Sequence, residues 1–504
     1  MKLNKPTIKR LATGVPGFDE ILGGGLPEFS FNLIAGPPGS GKTTLAHQMM
    51  FALATPKRPA LYFTVLGEPP LKMLRYQQQY DFFDLDQLNR CIRFVNLGGD
   101  TTSGDLDKVL ARIAKEVETH EPGMVFVDSF RSVVLTSQGE AKPYSSLQQF
   151  IQNLGVLLTG WQATTFLIGE YFDHNDPNPI FTVADGLIWL RQSEQHNSVV
   201  RNIEIAKMRG QATRAGLHTF RMSTAGIKVF PPVQFSVPAD SEASLLTTTR
   251  LKMGVPGLDE MMGGGLPRGY SLLVAGPSGS GKSIMAAAFL AEGARRGEKG
   301  VIAAFETRPK MSRARVVADL IASGSVAVID TRGSDLSVDE IAGLLIEEIR
   351  RIKATRVVID SLSGFELALA PTFRGDFRES LARLVTALAS TGVTVLMTSE
   401  LEDRFNDLRF SPFGTAFLTD AIIVQRYIEV ESRLKRMMAV VKIRASAHSD
   451  ELCVYHIDGN GIKIDQMLPD QEGLLAGRPT RSSPKKAVTK DKKVSRTRAK
   501  RSSR

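Results

Sequence analysis

Residues 36–43 read GPPGSGKT, and residues 276–283 read GPSGSGKS. Both fit G-x-x-x-x-G-K-[ST], a pattern whose glycines let backbone N–H groups turn inward around phosphate oxygens while the start of the next helix adds a favourable dipole. In such a loop the lysine reaches the β- and γ-phosphates and the hydroxyl faces Mg2+. The flanks supply the context that the pattern needs. FNLIA (31–35) and SLLVA (271–275) are short apolar runs suited to buried strands, and TLAHQMMFAL (44–53) and IMAAAFLAEGA (284–294) read as helices. The candidate nucleotide contacts are Gly36, Gly39, Ser40, Gly41, Lys42, Thr43 and Thr44 in one copy. In the other they are Gly276, Gly279, Ser280, Gly281, Lys282, Ser283 and Ile284. Lys42 and Lys282 are also the candidate catalytic cations.

The repetition extends well beyond the loops. GVPGFDEILGGGLP (14–27) returns as GVPGLDEMMGGGLP (254–267), 240 residues later, which is also the spacing of the loops. Near the end of each copy, AKMRG from Ala206 returns as VKIRA from Val441 at a spacing of 235. Each copy is thus a whole domain rather than a short solenoid unit. Between them FPPVQFSVPADSEASLLTTT (230–249) is rich in proline and small polar residues and holds the linker. The expected division is a first domain over 1–237, a linker over 238–249, a second domain over 250–470 and a tail over 471–504. Further apolar runs, ALYFTV (60–65), MVFVD (124–128) and TTFLIG (164–169), have counterparts in VIAAF (301–305), VVID (357–360) and TVLMT (394–398). Helical faces lie between them: Leu106, Val109, Leu110, Ile113 and Val117 in one copy, and Ile341, Leu344, Leu345, Ile349 and Ile352 in the other. Ser337 and Glu340 predict a capping box for the latter helix. The fold class expected is α/β: two tandem domains, each a mostly parallel sheet with helices on both faces.

A chain of 504 residues, 42% apolar and 23% charged, has ample core for two domains. The formal charge of +10 is concentrated at one end: residues 478–504 hold 12 Lys/Arg against one acid, Asp491, and the rest balances 51 basic against 52 acidic residues. The tail has almost no large apolar side chains and is expected to be disordered, open to nonspecific contact with nucleic acid or other anions. Two cysteines, Cys91 and Cys453, exclude a Cys-rich zinc site, suit a reducing cytosol and leave a single disulfide open by counting. No h-region follows the basic residues of the first segment, and no apolar run approaches the ~18 residues of a membrane span. The sequence therefore predicts a soluble, cytoplasmic protein.

A Mg2+ site also needs a carboxylate at the end of a second apolar strand. Asp128 and Asp360 stand there, each followed by serine. The candidate metal ligands are accordingly Thr43 with Asp128, and Ser283 with Asp360. Hydrolysis needs a group that orients or deprotonates water. The strands after the loop helices end in TVLGEPP (64–70) and AAFETRP (303–309), making Glu68 and Glu306 the candidates.

Together the GVPGLDE…GGGLP lead-in, the loops, the glutamate-bearing and Asp-Ser strand ends and the late K-[MI]-R segment resemble the KaiC family of the RecA superfamily, from about Leu11 to Asp465. The resemblance implies two RecA-like ATPase domains, Mg2+ and ATP as cofactors, and a hexameric double ring with ATP between neighbouring subunits. It further implies that the neighbour supplies Lys207 and Arg209 in one ring and Lys442 and Arg444 in the other. Such cations would neutralise charge developing on the γ-phosphate.

Departures from the family pattern carry information. KaiC proteins typically have two adjacent glutamates at the strand end; here one copy has Gly67-Glu68 and the other Glu306-Thr307, so two sites turning over ATP at different rates are expected. The Ser-Thr pair at which clock-type members phosphorylate themselves falls on Ala416-Phe417, which lack hydroxyls; Thr415 and Thr419 are close but do not match. The second copy keeps Ser446 and His448 where the first has Gln211 and Thr213, so its site looks nearer to the family pattern. The leading expectation is a nucleotide-gated switch or assembly platform with a signalling protein partner. A serine/threonine kinase acting on itself or a partner is the alternative, and a RecA-like nucleic-acid motor the third.

Overall fold

The computed structural model describes residues 8–65, 70–101, 105–137, 144–173, 178–195, 197–233, 249–305, 315–330, 335–401, 417–430, 432–467, 471–472 and 480–481. Glu68, Glu306, Thr415, Ala416, most of the expected linker and residues 482–504 lie outside them. Gln471–Glu472 pairs antiparallel with Thr480–Arg481.

In the first half the strands of the main sheet are β1 (Phe31–Gly36), β2 (Ala60–Thr64), β3 (Ile92–Asn96), β4 (Met124–Asp128), β5 (Thr164–Glu170), β6 (Gly186–Gln195), β7 (Ser198–Met208), β8 (His218–Ser223) and β9 (Gly226–Phe230). They form one nine-stranded sheet in the order β9-β8-β7-β6-β1-β5-β4-β2-β3. Strands β6, β1, β5, β4, β2 and β3 run parallel, whereas β7, β8 and β9 extend the sheet as an antiparallel ladder. The second half repeats this layout with β10 (Ser271–Gly276), β11 (Gly300–Ala304), β12 (Val326–Asp330), β13 (Arg356–Asp360), β14 (Thr394–Glu400), β15 (Ala421–Val430), β16 (Arg433–Ile443), β17 (Cys453–Asp458) and β18 (Gly461–Met467), ordered β12-β11-β13-β14-β10-β15-β16-β17-β18. The two sheets are thus mixed and mostly parallel, as the alternation of strands and helices predicts. Their antiparallel flanks are an addition that the sequence reading did not contain.

The inner parallel strands are apolar on both faces because both faces are covered, whereas the edge strand β3 exposes Arg93 and Asn96. On one face of the first sheet Ile34, Tyr62, Phe126 and Ile168 pack under helix α1 (Lys42–Leu53), through Leu45, Met49 and Met50. On the other face Leu33, Phe63, Val127 and Leu167 meet helices α2 (Leu106–His120) and α3 (Tyr144–Gly160) through Val109, Ile113, Ile151 and Leu154. The second half does the same with α4 (Lys282–Arg295) on one side, and α5 (Val338–Ile352) and α6 (Phe377–Ala389) on the other. Ser337 and Glu340 form the expected capping box at the start of α5. Cys91 and Cys453 are both free thiols. No helix among the described residues is long and apolar enough to cross a membrane.

The halves meet where the β8–β9 hairpin lies against α5. Thr219 and Ser337 share a hydroxyl–hydroxyl hydrogen bond of 2.7 Å. Arg221 donates to both carboxylate oxygens of Glu340 at 3.0 Å, and Lys228 reaches Glu347 at 3.1 Å. Glu340 is nearly buried, so it depends on Arg221 and on the helix cap for its charge compensation. Removing one partner of such a pair leaves the other desolvated without compensation, although solvent at Arg221 screens part of the loss. We predict that Arg221→Ala lowers the stability of the second half by about 1–2 kcal/mol, read as an earlier urea midpoint for its unfolding step. An unchanged midpoint would show that the hairpin merely rests on α5.

Candidate functional site

Parallel pairing brings the chemistry to one edge of each sheet. Gly36 at the end of β1 pairs with Glu170 at the end of β5, and Asp128 at the end of β4 lies opposite Ile168 of β5. The chain then turns through the loop into α1, with Gly39 at φ 73° and Gly41 at φ 100°. At Gly39 a Cβ would project into open space, so its requirement is the left-handed backbone; at Gly281 a Cβ would also come within 2.7 Å of Ile457. Ser40 and Ser280 are fully buried beneath their loops. Lys42 folds back to donate to the Pro37 carbonyl at 2.8 Å, and Lys282 donates to the Gly276 and Pro277 carbonyls, each at 2.8 Å. Burial pulls the Lys42 ammonium below its ordinary range, while Glu170 and Asp128 pull it back up. An inward-turned loop ending on a helix start, with a partly desolvated ammonium, is chemistry that an anionic phosphate chain would satisfy.

A cleft of about 380 Å3 opens beside the first loop, lined by Lys42, Thr43, Thr44, Asp128, Glu170 and Met222 among others. On its wall Thr43 donates to Asp128 Oδ2 at 2.9 Å, and the Tyr62 hydroxyl donates to the same oxygen at 2.8 Å. Burial raises the Asp128 carboxyl above the usual carboxylate range, and the two hydroxyls and Lys42 oppose the shift. In the second half Asp360 accepts instead from Thr398. Each Asp–Ser bond, 128–129 and 360–361, is cis. A hydroxyl at the helix start facing a strand-end carboxylate is the donor set of an oxygen-ligated Mg2+ that also takes phosphate and water. The residues of the first half therefore fit a Mg2+–nucleotide pair; in the second half Ser283 and Asp360 hold the equivalent positions, at the start of α4 and the end of β13.

The cation pairs stand elsewhere. Lys207 lies opposite Leu187, whose parallel partner is Leu33, three residues before Gly36, so the pair sits about 10 Å down the sheet from its own loop. Lys442, Ile422 and Leu273 repeat the arrangement. Lys207 donates to the Thr182 carbonyl at 3.0 Å, and Arg209 pairs with Asp185 at 3.2 Å. Lys442 donates to the Thr419 carbonyl at 2.7 Å, and Arg444 pairs with Asp420 at 3.0 Å. Within one chain, then, loop and strand-end carboxylate come together and the Lys-x-Arg pairs do not join them.

The sequence carries the same arrangement in its resemblance to known proteins. The family model for the KaiC ATPase matches residues 11–234 and again 251–468. The chain belongs to the KaiC ATPase family. It is 26% identical over 490 residues to the circadian clock oscillator protein KaiC of Rippkaea orientalis, covering 94% of this chain and 92% of that one. It is 27% identical over 496 residues to circadian clock oscillator protein KaiC 1 of Synechocystis sp., covering 94% and 93%. Circadian clock protein KaiC3 of the same organism is 27% identical over 488 residues, covering 94% and 95%. Membership carries the RecA-like double domain and ATP binding with it.

Some of the site escaped the sequence reading. Glu170 and Glu400 end β5 and β14 beside the loops, paired with Gly36 and Gly276. Their signal was present, since IGE and TSE end matching strands, but a strand-end glutamate reads as a solvated surface residue. The second loop is also braced in a way that the first is not. Gln425 accepts from the Ser280 hydroxyl at 2.9 Å, Tyr427 donates to the Ser278 carbonyl at 3.2 Å, and Tyr455 donates to the Ser280 carbonyl at 2.6 Å. The matching positions are Leu190, Gln192 and Phe220, two of which have no polar side-chain atom. Gln211 and Ser446 serve the lead-in glycines: Gln211 donates to the Leu22 and Gly25 carbonyls, and Ser446 accepts from Arg250, which donates to Met262 and Gly265.

The first half carries a buried imidazole under its loop. His47 on α1 is fully buried and packs on Tyr62 at 4.7 Å between ring centroids, where the second half has Ala287. Burial drives its pKa down to about 4, against a smaller upward pull from Gln77. The unfolded chain therefore takes up a proton near pH 6.5 that the folded domain refuses until about pH 4, and stability falls as pH drops through that window. We predict that the first domain loses up to about 3 kcal/mol there through this residue. The stability difference between wild type and His47→Gln, from urea titrations between pH 7 and 4, checks it; a difference that does not change with pH removes the buried neutral imidazole.

Proposed function

We propose that the chain is a Mg2+-dependent ATPase that assembles into a six-membered double ring, with ATP held between neighbouring copies, and serves as a nucleotide-gated switch or assembly platform for a signalling partner. The observation that carries this reading is the placement of the Lys-x-Arg pairs. In both halves they lie at the sheet end away from their own loop, so each loop needs a second copy to gain its cations. Thr43 with Asp128, and Ser283 with Asp360, would hold Mg2+, which supplies charge neutralisation at the phosphates. Lys42 and Lys282 bind the phosphate chain. Lys207, Arg209, Lys442 and Arg444 stabilise charge on the neighbour's γ-phosphate. Glu68 and Glu306 orient or deprotonate the attacking water. Differences in loop bracing, together with Gly67-Glu68 against Glu306-Thr307, favour unequal turnover at the two sites. Phe417 at half of the clock-type acceptor pair, and Thr419 buried beside it, favour a switch over self-phosphorylation.

The trans arrangement makes a specific prediction. In a Lys282→Ala background, Lys42→Ala removes the loop function and Arg209→Ala removes the donated cation, and each alone lowers first-site hydrolysis by roughly 100-fold or more. Mixing the two variants equally creates, at about one interface in four, an intact loop from one copy beside an intact Arg209 from the other, so activity returns to roughly a quarter of that of the Lys282→Ala parent. Oligomer mass measured with and without Mg-ATP accompanies the assay. Failure of the mixture to regain activity while it still assembles would rule out sharing of the site between copies.

A further inference from the structure

The two metal-facing carboxylates are steadied by different side chains arriving from opposite sides. Strand β4 lies between β2 and β5, and its counterpart β13 lies between β11 and β14. In the first half the hydroxyl comes from β2: Thr64 pairs with Asp128, and Tyr62, two residues earlier on the same face, reaches diagonally to donate at 2.8 Å. The β5 residue directly opposite Asp128 is Ile168, which has no hydroxyl. In the second half the matching β11 position is Ile302, and the hydroxyl comes from Thr398 of β14, the position that corresponds to Ile168. Residue size follows from geometry: the diagonal position needs a side chain as long as tyrosine, and the directly opposed position needs only threonine. All four positions are buried, so neither hydroxyl is there for solvation. Each half has one hydroxyl and one isoleucine at these two positions, in exchanged order. In the first half both recorded donors converge on Asp128 Oδ2, which leaves Oδ1 without a donor among the described residues.

We propose that Tyr62 and Thr398 are equivalent positioning residues, each fixing the orientation of its strand-end carboxylate toward Mg2+, and that the two halves have exchanged the strand that supplies this hydroxyl. The proposal rests on the Mg2+–ATP reading above. Residues that hold a metal ligand by hydrogen bonding set metal affinity without touching the ion, and their loss costs roughly tenfold or more.

The test uses the full chain in a Lys282→Ala background, with ATP affinity measured by calorimetry in Mg2+ and in EDTA. Tyr62→Phe keeps the ring that packs against His47, Phe94 and Phe126 and removes only the hydroxyl. It is expected to weaken binding in Mg2+ about tenfold and to leave binding in EDTA unchanged within about twofold. Adding Ile168→Thr on top of Tyr62→Phe restores most of the Mg2+ gain, because the hydroxyl then arrives from the β5 side as it does in the second half. The reciprocal measurement, Thr398→Val in a Lys42→Ala background, shows the same Mg2+-specific loss at the second site and stands on its own if the double variant folds poorly. Equal weakening in Mg2+ and EDTA, no weakening at all, or a folded double variant without recovery each overturns the proposal. Absence of Mg2+-dependent ATP binding in the Lys282→Ala parent, with no further effect of Lys42→Ala, overturns the underlying reading instead.

Discussion

The parallel pairing of β1 between β5 and β6 is the constraint on which the rest hangs. With Gly36 in register with Glu170 and Ala35 in register with Trp189, the chain leaves the sheet at a point where neighbouring connections diverge to opposite faces. The loop therefore opens into a crevice instead of packing on a helix. The same register sets Asp128 and Glu170 at the edge beside the loop and sends Lys207 and Arg209 to the far end. The second sheet repeats it residue for residue, which is why two halves that have drifted in their side chains still present the same arrangement of backbone.

Much of this was legible in the chain itself. The apolar runs at 31–35, 124–128 and 271–275 read as buried strands, and β1, β4 and β10 stand there, with the glycine-rich loops and the strand-end carboxylates following as the spacing implies. The face formed by Val109, Ile113 and Val117 and the Ser337–Glu340 cap also appear as the spacing implies. The antiparallel flank was not legible. In β7, SVVRNIEIAKM, apolar and charged residues mix without clean alternation: the buried positions Ser198, Val200, Ile203 and Ile205 change parity along the strand, and its pairing with β6 shifts register between Leu187 and Ile188. Tyr62 was hidden for the opposite reason: inside ALYFT it looks like one more core aromatic, and only the fold reveals that its hydroxyl ends on Asp128. Glu68 and Glu306 stay where the sequence left them, outside the described residues.

The two sites differ less in their loops than in what lies behind them. Behind the first are the buried His47 and Tyr62 and the half-buried Met222, a mix of ring, hydroxyl and thioether. Behind the second are Ala287, Ile302 and Ile457, and the polar groups stand on the neighbouring strands as Gln425, Tyr427 and Tyr455, hydrogen-bonded to the loop. A buried polar group needs a partner wherever it sits, so a change on one strand calls for a matching change on a neighbour. Divergence after duplication has here redistributed hydrogen-bonding groups around a fixed frame of strands.

The hairpin between the halves has a mechanical side. Along β8 successive side chains point to opposite faces. Phe220 belongs to the core beneath the first loop, and Met222 comes within 3.0 Å of where a Cβ on Gly41 would stand. Thr219 and Arg221 belong to the cap of α5 in the second half. Two readers of different domains thus alternate on one ribbon, a single peptide bond apart. The backbone of β8 is thus shared by the packing under the first loop and by the cap of α5, so a substitution that shifts the register of this strand disturbs both sets of contacts together.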